Sequence, residues 1–112
     1  MIRLETYVRL VPDFPSPGVL FRDLTPMMAD SSALQHAIAQ LVAPFERTRV
    51  DVVVGVEARG FIFGALAAAQ LGVGFVPLRK PGKLPGPVES VTYELEYGRA
   101  CLQMQHLSLI HI

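Results

Sequence analysis

The chain has 112 residues and carries ten basic and ten acidic side chains, so its formal net charge is zero. This balance excludes a strongly basic surface for nucleic acid or an anionic membrane, and local groups must hold any anionic ligand. Hydrophobic residues make up 51% of the chain, which predicts one folded domain at most. A single cysteine, no signal-peptide pattern and no long apolar run give a cytoplasmic location as the expectation.

The first third of the chain combines two predicted helices with irregular segments. Apolar residues at helical spacing predict a helix over residues 2–10, which Pro12 ends. Residues 12–18 contain too much proline and glycine for a regular element, and residues 19–21 are predicted to be extended. A single apolar stripe from Leu34 to Phe45 predicts the next helix. Asp30 and the two serines after it are each able to cap it, and Pro44 ends or kinks it.

The most informative segment is a predicted strand, turn and helix at the centre of the chain. Residues 50–56 are apolar and mostly β-branched, a pattern typical of a parallel strand buried on both faces. The Ala-rich residues 60–71 predict a helix that Gly72 closes. Between them, residues 57–60 place a glycine and a cation where unpaired helix amides attract anions. The turn is therefore a candidate phosphate or pyrophosphate site.

The elements that follow extend this pattern. Residues 74–78 predict a second strand, parallel to the first because a helix connects them. Residues 79–87 form a basic, proline- and glycine-rich segment that is expected to be an exposed loop. Residues 89–97 alternate apolar and polar side chains, which predicts a further strand. Leu102 and Met104 fit a prolongation of that strand region.

Four segments together resemble the adenine phosphoribosyltransferases. They are PDFPSPGVLFRDLTP at 12–26, GVEARGF at 55–61, RKPGKLPG at 79–86 and YELEYG at 93–98. Four motifs in register are more specific than any one alone. The resemblance implies an α/β fold of the type I phosphoribosyltransferases, a parallel sheet flanked by helices and incomplete at the C-terminus. Residues 1–100 are interpreted as the N-terminal part of that domain, and residues 101–112 as a tail that does not match the family.

The resemblance also implies an activity. Such enzymes transfer ribose 5-phosphate from phosphoribosyl pyrophosphate to N9 of adenine, which gives AMP and pyrophosphate, and Mg²⁺ is bound together with the phosphoribosyl pyrophosphate. The implied partners are these small-molecule substrates, with no nucleic acid and no membrane, and the full-length family member is expected to be a homodimer. The three histidines show no ligand spacing, so no metal site of the protein's own is expected.

Residue roles follow from the same resemblance. The residues that would receive the leaving pyrophosphate are Glu57, Ala58, Arg59, Gly60, Arg79 and Lys83. The adenine pocket would be formed by Leu20, Phe21, Arg22 and Tyr97. Glu96 and Arg59 are the catalytic candidates, Glu96 as a general acid or base beside N7 of the purine. The family also implies a cis peptide between Glu57 and Ala58. Without the resemblance, Arg59 would be interpreted as a solvated cation and Glu96 as part of the solvent-exposed face of a strand. Lys80 is interpreted as a solubilising charge in either case.

One departure from the family shapes the expectation for this chain. The family continues with a strand ending in two acidic residues and a Gly- and Thr-rich loop, which hold the ribose hydroxyls and the 5-phosphate. The 112 residues contain no such motif. The chain is therefore interpreted as a truncated adenine phosphoribosyltransferase that is inactive alone. The alternative is a non-catalytic remnant that binds purine weakly or pairs with full-length subunits.

Overall fold

The computed structural model describes residues 2–96 and 98–106. The chain divides into two compact units, Met1–Ala43 and Pro44–Ile112. Within the described residues, no helix has the length and hydropathy that a bilayer span requires.

The first unit contains a β-hairpin followed by two helices. Its elements are a 3₁₀ turn at Leu4–Tyr7, β1 at Arg9–Pro12, β2 at Leu20–Asp23, α1 at Thr25–Ala29 and α2 at Ser31–Val42. β1 and β2 are antiparallel, and α1 contacts α2. The buried apolar side chains of this unit are Met27, Ala33, Ile38 and Val42.

The helix predicted over residues 2–10 is wrong except for one short turn. Only Leu4–Tyr7 is helical, as a 3₁₀ turn in which the Thr6 N–H donates to the Arg3 carbonyl at 3.1 Å. Residues 9–12 instead form β1, which is paired in register with β2. The apolar spacing is compatible with a helix, but pairing with β2, which begins at Leu20, decides the conformation, because tertiary context overrides local preference.

The predicted helix, its cap and its end are confirmed in α2, but Leu41 and Phe45 of the predicted buried stripe are 51% and 49% exposed. The Asp30 carboxylate accepts a hydrogen bond from the Ala33 N–H at 2.8 Å, which makes Asp30 the N-cap. The helix ends at Val42, and a 3₁₀ turn at Ala43–Phe45 that contains Pro44 follows it. The proline therefore marks the end of the regular helix, as its missing N–H requires.

The second unit begins with the predicted βαβ arrangement. β3 spans Val52–Val56, α3 spans Arg59–Leu71 and β4 spans Gly74–Leu78. The two strands are parallel, with Val52 opposite Gly74. Gly72 caps α3 in the left-handed region at φ 73°, a conformation that glycine adopts without steric cost. Strand, helix, cap and strand direction all confirm the prediction, and the fold is α/β.

Two glycines allow α3 to approach the sheet closely. A Cβ atom on Gly55 of β3 would lie 2.6 Å from the Gly60 carbonyl oxygen and 2.7 Å from the Phe75 ring. A Cβ atom on Gly64 of α3 would lie 2.6 Å from the same ring. The ring of Phe75 therefore fills the space that two absent side chains leave between strand and helix. This packing fixes where the first turn of α3 lies against the end of β3.

The prediction that β3 is buried on both faces is wrong. Gly55 is buried, whereas Val54 and Val56 each remain 44% exposed. Successive side chains of a strand point to opposite faces, so residues 54 and 56 share the face opposite Gly55. α3 packs at the Gly55 face, and β3 is paired only with β4 among the described strands. The apolar run therefore has one covered face in this structure.

A β-hairpin completes the second unit. β5 spans Val88–Leu95 and β6 spans Gly98–Gln105, and the two are antiparallel throughout. One hairpin face is apolar and carries Val91, Tyr93, Leu95, Leu102 and Met104. Val91 and Leu95 on this face are 67% and 56% exposed. An isolated antiparallel bridge between Arg79 and Gln103 joins the hairpin to the residue that follows β4.

Candidate functional site

The turn between β3 and α3 presents a helix N-terminus at the end of a strand. The peptide between Glu57 and Ala58 is cis, as the resemblance implies. Arg59 and Gly60 are the first two residues of α3, and the Arg59 side chain is exposed. The first N–H groups of an α-helix have no carbonyl partner within the helix, and they carry its positive dipole end. Arg59 therefore adds a full charge where the backbone already favours an anion.

Glu57 connects this turn to the basic loop, defined here as residues 79–87. One carboxylate oxygen accepts the Lys80 N–H at 2.8 Å, and the other lies 3.5 Å from an Arg79 guanidinium nitrogen. The Glu57 N–H also donates to the Leu78 carbonyl at 3.0 Å. The hydrogen bond from the Lys80 N–H, followed by the bond and charge of Arg79, lowers the pKa of Glu57 below its usual 4.5. The side chain of Glu57 thus holds the start of the basic loop beside the turn.

Arg79 has a second contact that fixes its direction. Its guanidinium carbon lies 5.8 Å from the centroid of the Phe61 ring, within cation–π range. Phe61 in turn packs edge-to-face on Phe75 at 5.8 Å, and Phe75 occupies the gap left by Gly55 and Gly64. The glycine-dependent packing of α3 on β3 therefore extends through two aromatic rings to a cation of the basic loop.

A cavity of about 430 Å³ opens beside this turn, a size typical of small-molecule sites. It is lined by Val56 and Glu57, by Lys80 and Pro81, by Thr92 and Tyr93, and by residues 99–102. Its lining includes two cations, Lys80 and Arg99, and one carboxylate, Glu57, which is already paired. Arg99 is also paired, with a guanidinium nitrogen 3.9 Å from a Glu94 carboxylate oxygen. The interpretation of Lys80 as only a solubilising charge missed this position, because nothing in the loop sequence shows which loop residues line a cavity.

The first unit carries the predicted adenine-binding segment. Leu20, Phe21 and Arg22 are the first three residues of β2, paired with β1. Phe21 packs edge-to-face on Phe14 with ring centroids 5.1 Å apart, and Leu20 is 47% exposed. The segment thus offers one positioned aromatic ring and an exposed apolar side chain on a hydrogen-bonded strand.

Asp23 fixes the end of β2, and sequence reasoning missed it. This buried carboxylate accepts hydrogen bonds from Arg9 at 2.6 Å, from the Thr25 N–H at 2.9 Å and from the Thr25 hydroxyl at 2.6 Å. The two Thr25 bonds are the main cause of its lowered pKa. A signal was present, because an Asp two residues before a Thr at a helix start is a common local hydrogen-bonding motif.

The sequence was compared with protein families and with curated proteins. No model of a protein family matches the sequence. Among curated proteins, an adenine phosphoribosyltransferase of Methylococcus capsulatus is 58% identical over all 112 residues of this chain, which cover 65% of that relative. The chain is similar to adenine phosphoribosyltransferases along its whole length. The resemblance carried by the four motifs is confirmed, and the chain spans a little under two thirds of the length of this relative.

Solved structures of adenine phosphoribosyltransferases share the fold. The enzyme of Thermoanaerobacter pseudethanolicus superposes with a TM-score of 0.85 at 46% identity, over 91% of this chain and 59% of that one. The enzyme of Saccharomyces cerevisiae superposes with a TM-score of 0.82 at 42% identity, over 91% of this chain and 60% of that one. The yeast structure is a complex with adenine and an imino-altritol bisphosphate.

The remaining adenine phosphoribosyltransferase motif residues occupy different surroundings. Lys83 is exposed in the basic loop, and its charge contributes to the lowered pKa of Glu57. Glu96 is exposed in the turn that joins β5 to β6, outside the set of described residues that line the cavity. Tyr97 lies outside the described residues. The structure thus brings Glu57, Arg79 and Lys80 together, whereas the catalytic assignment of Glu96 and the pocket assignment of Tyr97 stay predictions.

Proposed function

We propose that this protein is an adenine phosphoribosyltransferase of purine salvage, which forms AMP and pyrophosphate from adenine and phosphoribosyl pyrophosphate. The observation that carries the proposal is the coupling of the β3–α3 turn to the basic loop through Glu57. This coupling places a helix N-terminus with Arg59 beside a loop rich in cations. Such an arrangement suits a doubly anionic leaving group better than a neutral ligand.

The proposed chemistry uses these groups in the transition state. Breaking the bond between the anomeric carbon and pyrophosphate places negative charge on the pyrophosphate. The helix amides and Arg59 would meet that charge, and Arg79 and Lys83 would approach it from the loop. Glu57 would hold the loop beside the turn through its bonds to Lys80 and Arg79. Glu96 is proposed as the acid or base at the purine ring.

The adenine side of the proposal rests on β2. The segment Leu20–Arg22 would read the edge of the base through backbone groups while Phe21 packs on its face, and Tyr97 would line the entrance. A 6-oxo purine would place an acceptor against an acceptor there, a mismatch that costs about 1–3 kcal/mol. Calorimetry is expected to show tighter binding of adenine than of hypoxanthine, and equal or reversed affinities would contradict this pocket.

Mg²⁺ is proposed to enter with phosphoribosyl pyrophosphate. In the described part of the chain, no three His, Cys, Asp or Glu side chains lie close enough together to hold a metal ion. Mg²⁺ in phosphate chemistry keeps several waters and takes its other ligands largely from substrate phosphates. The ion would neutralise part of the pyrophosphate charge, while this chain supplies the cationic side chains. A homodimeric assembly and a cytoplasmic location complete the proposal.

A chimera tests the function. Residues 1–100 are joined to the matching remainder of the Methylococcus relative, and AMP formation from radiolabelled adenine is measured. We expect the chimera to form AMP, Arg59→Ala to lower kcat/KM by about 100-fold or more, and Glu96→Gln to lower it as well. Arg47→Ala, a change at an exposed residue outside the motifs, is the control and should leave activity unchanged.

Two outcomes would contradict the proposal. A folded chimera that forms no AMP would exclude the assigned function, and an unaffected Arg59→Ala chimera would exclude the assigned site. Because the 112 residues contain no motif for the ribose hydroxyls or 5-phosphate, we also propose that residues 1–112 form no AMP on their own. Sustained AMP formation by this chain would show that part of the proposal to be wrong.

A further inference from the structure

The basic loop is held along β6, beginning at Gln103. The backbone groups of Arg79 and Gln103 exchange two hydrogen bonds, of 3.0 and 2.8 Å. The Gln103 side chain then uses both ends of its amide. Its oxygen accepts the Gly82 N–H at 3.4 Å, and its nitrogen donates to the Ser90 hydroxyl at 3.0 Å. One residue of β6 thus contacts the start of the loop, the middle of the loop and the neighbouring strand.

The far end of the loop is held by Gln105, the last residue of β6, and by His106, which follows it. The Gln105 side-chain amide donates to the Pro85 carbonyl at 3.2 Å. The His106 N–H donates to the Pro87 carbonyl at 3.0 Å. Lys83 lies between these attachments, exposed and next to Gly82. The loop therefore presents Lys83 from a frame that β6 supplies.

The bond to Gly82 acts where the loop turns. Gly82 has φ +81°, a left-handed conformation that side chains other than glycine rarely adopt. Chain direction at this residue sets where the next side chain, Lys83, projects. The Gln103 amide is itself fixed by Ser90, so it is a defined partner for the turn.

We propose that Gln103 is a positioning residue, which sets the conformation of the basic loop so that Lys83 faces the pyrophosphate group. The proposal rests on the proposed function for its ligand, but the hold of Gln103 on the loop is a property of the free chain. Gln103 itself touches no substrate in this scheme, because its amide is occupied by Gly82 and Ser90.

Limited proteolysis measures the hold on the loop. Trypsin cleaves after Lys83 but not after Lys80, since Pro81 follows it. In the 112-residue chain, Gln103→Ala is expected to raise the cleavage rate at the Lys83–Leu84 bond about two- to tenfold, the range that loss of one hydrogen bond allows. Cleavage after the exposed Arg47 serves as the internal reference and should not change.

Matched variants separate positioning from general instability. Gln103→Glu keeps an oxygen for the Gly82 N–H and should restore cleavage close to the wild-type rate. Gln70→Ala removes an exposed glutamine from α3 and should leave cleavage unchanged. Circular dichroism and the melting temperature are recorded for each variant. If Gln103→Ala does not fold, Ser90→Ala, which removes the other partner of the amide, is expected to raise cleavage in the same direction.

Pyrophosphate binding then tests the role of the positioned lysine. As the only substitution in the chain, Gln103→Ala should weaken pyrophosphate affinity about two- to tenfold. It should have little further effect in a Lys83→Ala background, because the two changes act through one contact. Additive effects would show that Gln103 does not act through Lys83.

Failure of the positioning proposal and failure of the proposed function appear in different measurements. Unchanged cleavage in a folded Gln103→Ala chain overturns the positioning proposal, whatever the chain binds. Failure of the wild-type chain to bind pyrophosphate overturns the proposed function and the ligand-directed role of Gln103, while the cleavage rates still decide whether this residue holds the loop.

Discussion

The two halves of the second unit contrast in how their apolar residues are used. In β3, α3 and β4, glycines and an aromatic ring interlock, and Ala67, Ala68 and Val76 are buried. In the β5–β6 hairpin every register pair is formed, yet Val91, Tyr93 and Leu95 on one face remain exposed, and Leu102 and Met104 on that face are half-buried. Both regions contain paired strands, but side chains of strand and helix interlock only in the first.

The contrast explains which site residues the structure brings together. Glu57 and Arg79 flank the packed region, and their positions follow from strands, helix and rings that are all within it. Glu96 lies at the tip of the hairpin, exposed beyond the last paired residues. A tightly packed scaffold fixes side chains at its ends, whereas a hairpin turn fixes the backbone more than the side chains it carries.

The largest effect should come from adding a side chain at Gly55. Gly55→Val would force methyl groups into the Gly60 carbonyl and the Phe75 ring, and the backbone cannot yield cheaply. We expect a loss of about 3 kcal/mol in the free energy of unfolding, at the upper end of overpacking effects. Gly74→Ala in β4 is the control, because its Cβ would meet nothing within 4 Å. Similar urea midpoints for the two variants would contradict the packing difference.

A smaller difference in the free energy of unfolding is expected between valine substitutions in the packed region and in the hairpin. Val76→Ala in β4 removes buried methyl groups and should cost about 2 kcal/mol. Val91→Ala in β5, where the side chain is mostly exposed, should cost about 0.5 kcal/mol or less. Chemical denaturation of both variants gives the comparison. A cost at Val91 that equals the cost at Val76 would show that the hairpin face is packed in solution.

The smallest effect on stability is expected from substitution of Glu57, and it depends on pH. The pKa of Glu57 is lowered in the fold, so its stabilising contribution is present above its usual 4.5 and is lost as the pH falls through the lowered value. Glu57→Gln should therefore destabilise the chain near neutral pH, and the difference from wild type should shrink below about pH 4. Glu96→Gln, at an exposed residue that forms no such bond with the described residues, should leave the melting temperature unchanged. A difference for Glu57→Gln that grows on acidification would contradict the ion-pair assignment.

Much of the packed region was predictable from sequence because its signals are local. The β-branched run, the Ala-rich helix and Gly72 specify elements that lie next to one another along the chain, and all three are confirmed. The errors came from pairing at a distance. Residues 9–12 form a strand only because β2 returns beside them, and the exposed faces of Val54 and Val56 depend on which elements cover β3.

The candidate site divides in the same way. The β3–α3 turn follows from local signals in the sequence, whereas its cis peptide was implied only by the resemblance to the family. The bond from Arg9 to Asp23, the cavity-lining position of Lys80 and the loop contacts of Gln103 arise from residues far apart in sequence. Such contacts are set by side-chain geometry, which neither composition nor periodicity encodes.

The most direct test of the central claim, that the β3–α3 turn forms a pyrophosphate site, is a calorimetric titration of pyrophosphate with Mg²⁺ into the 112-residue chain. We expect saturable binding that Arg59→Ala weakens about 10- to 100-fold, as the loss of a charged hydrogen bond predicts, while Arg47→Ala leaves it unchanged. The absence of binding, or equal affinities for the wild-type chain and Arg59→Ala, would contradict the claim.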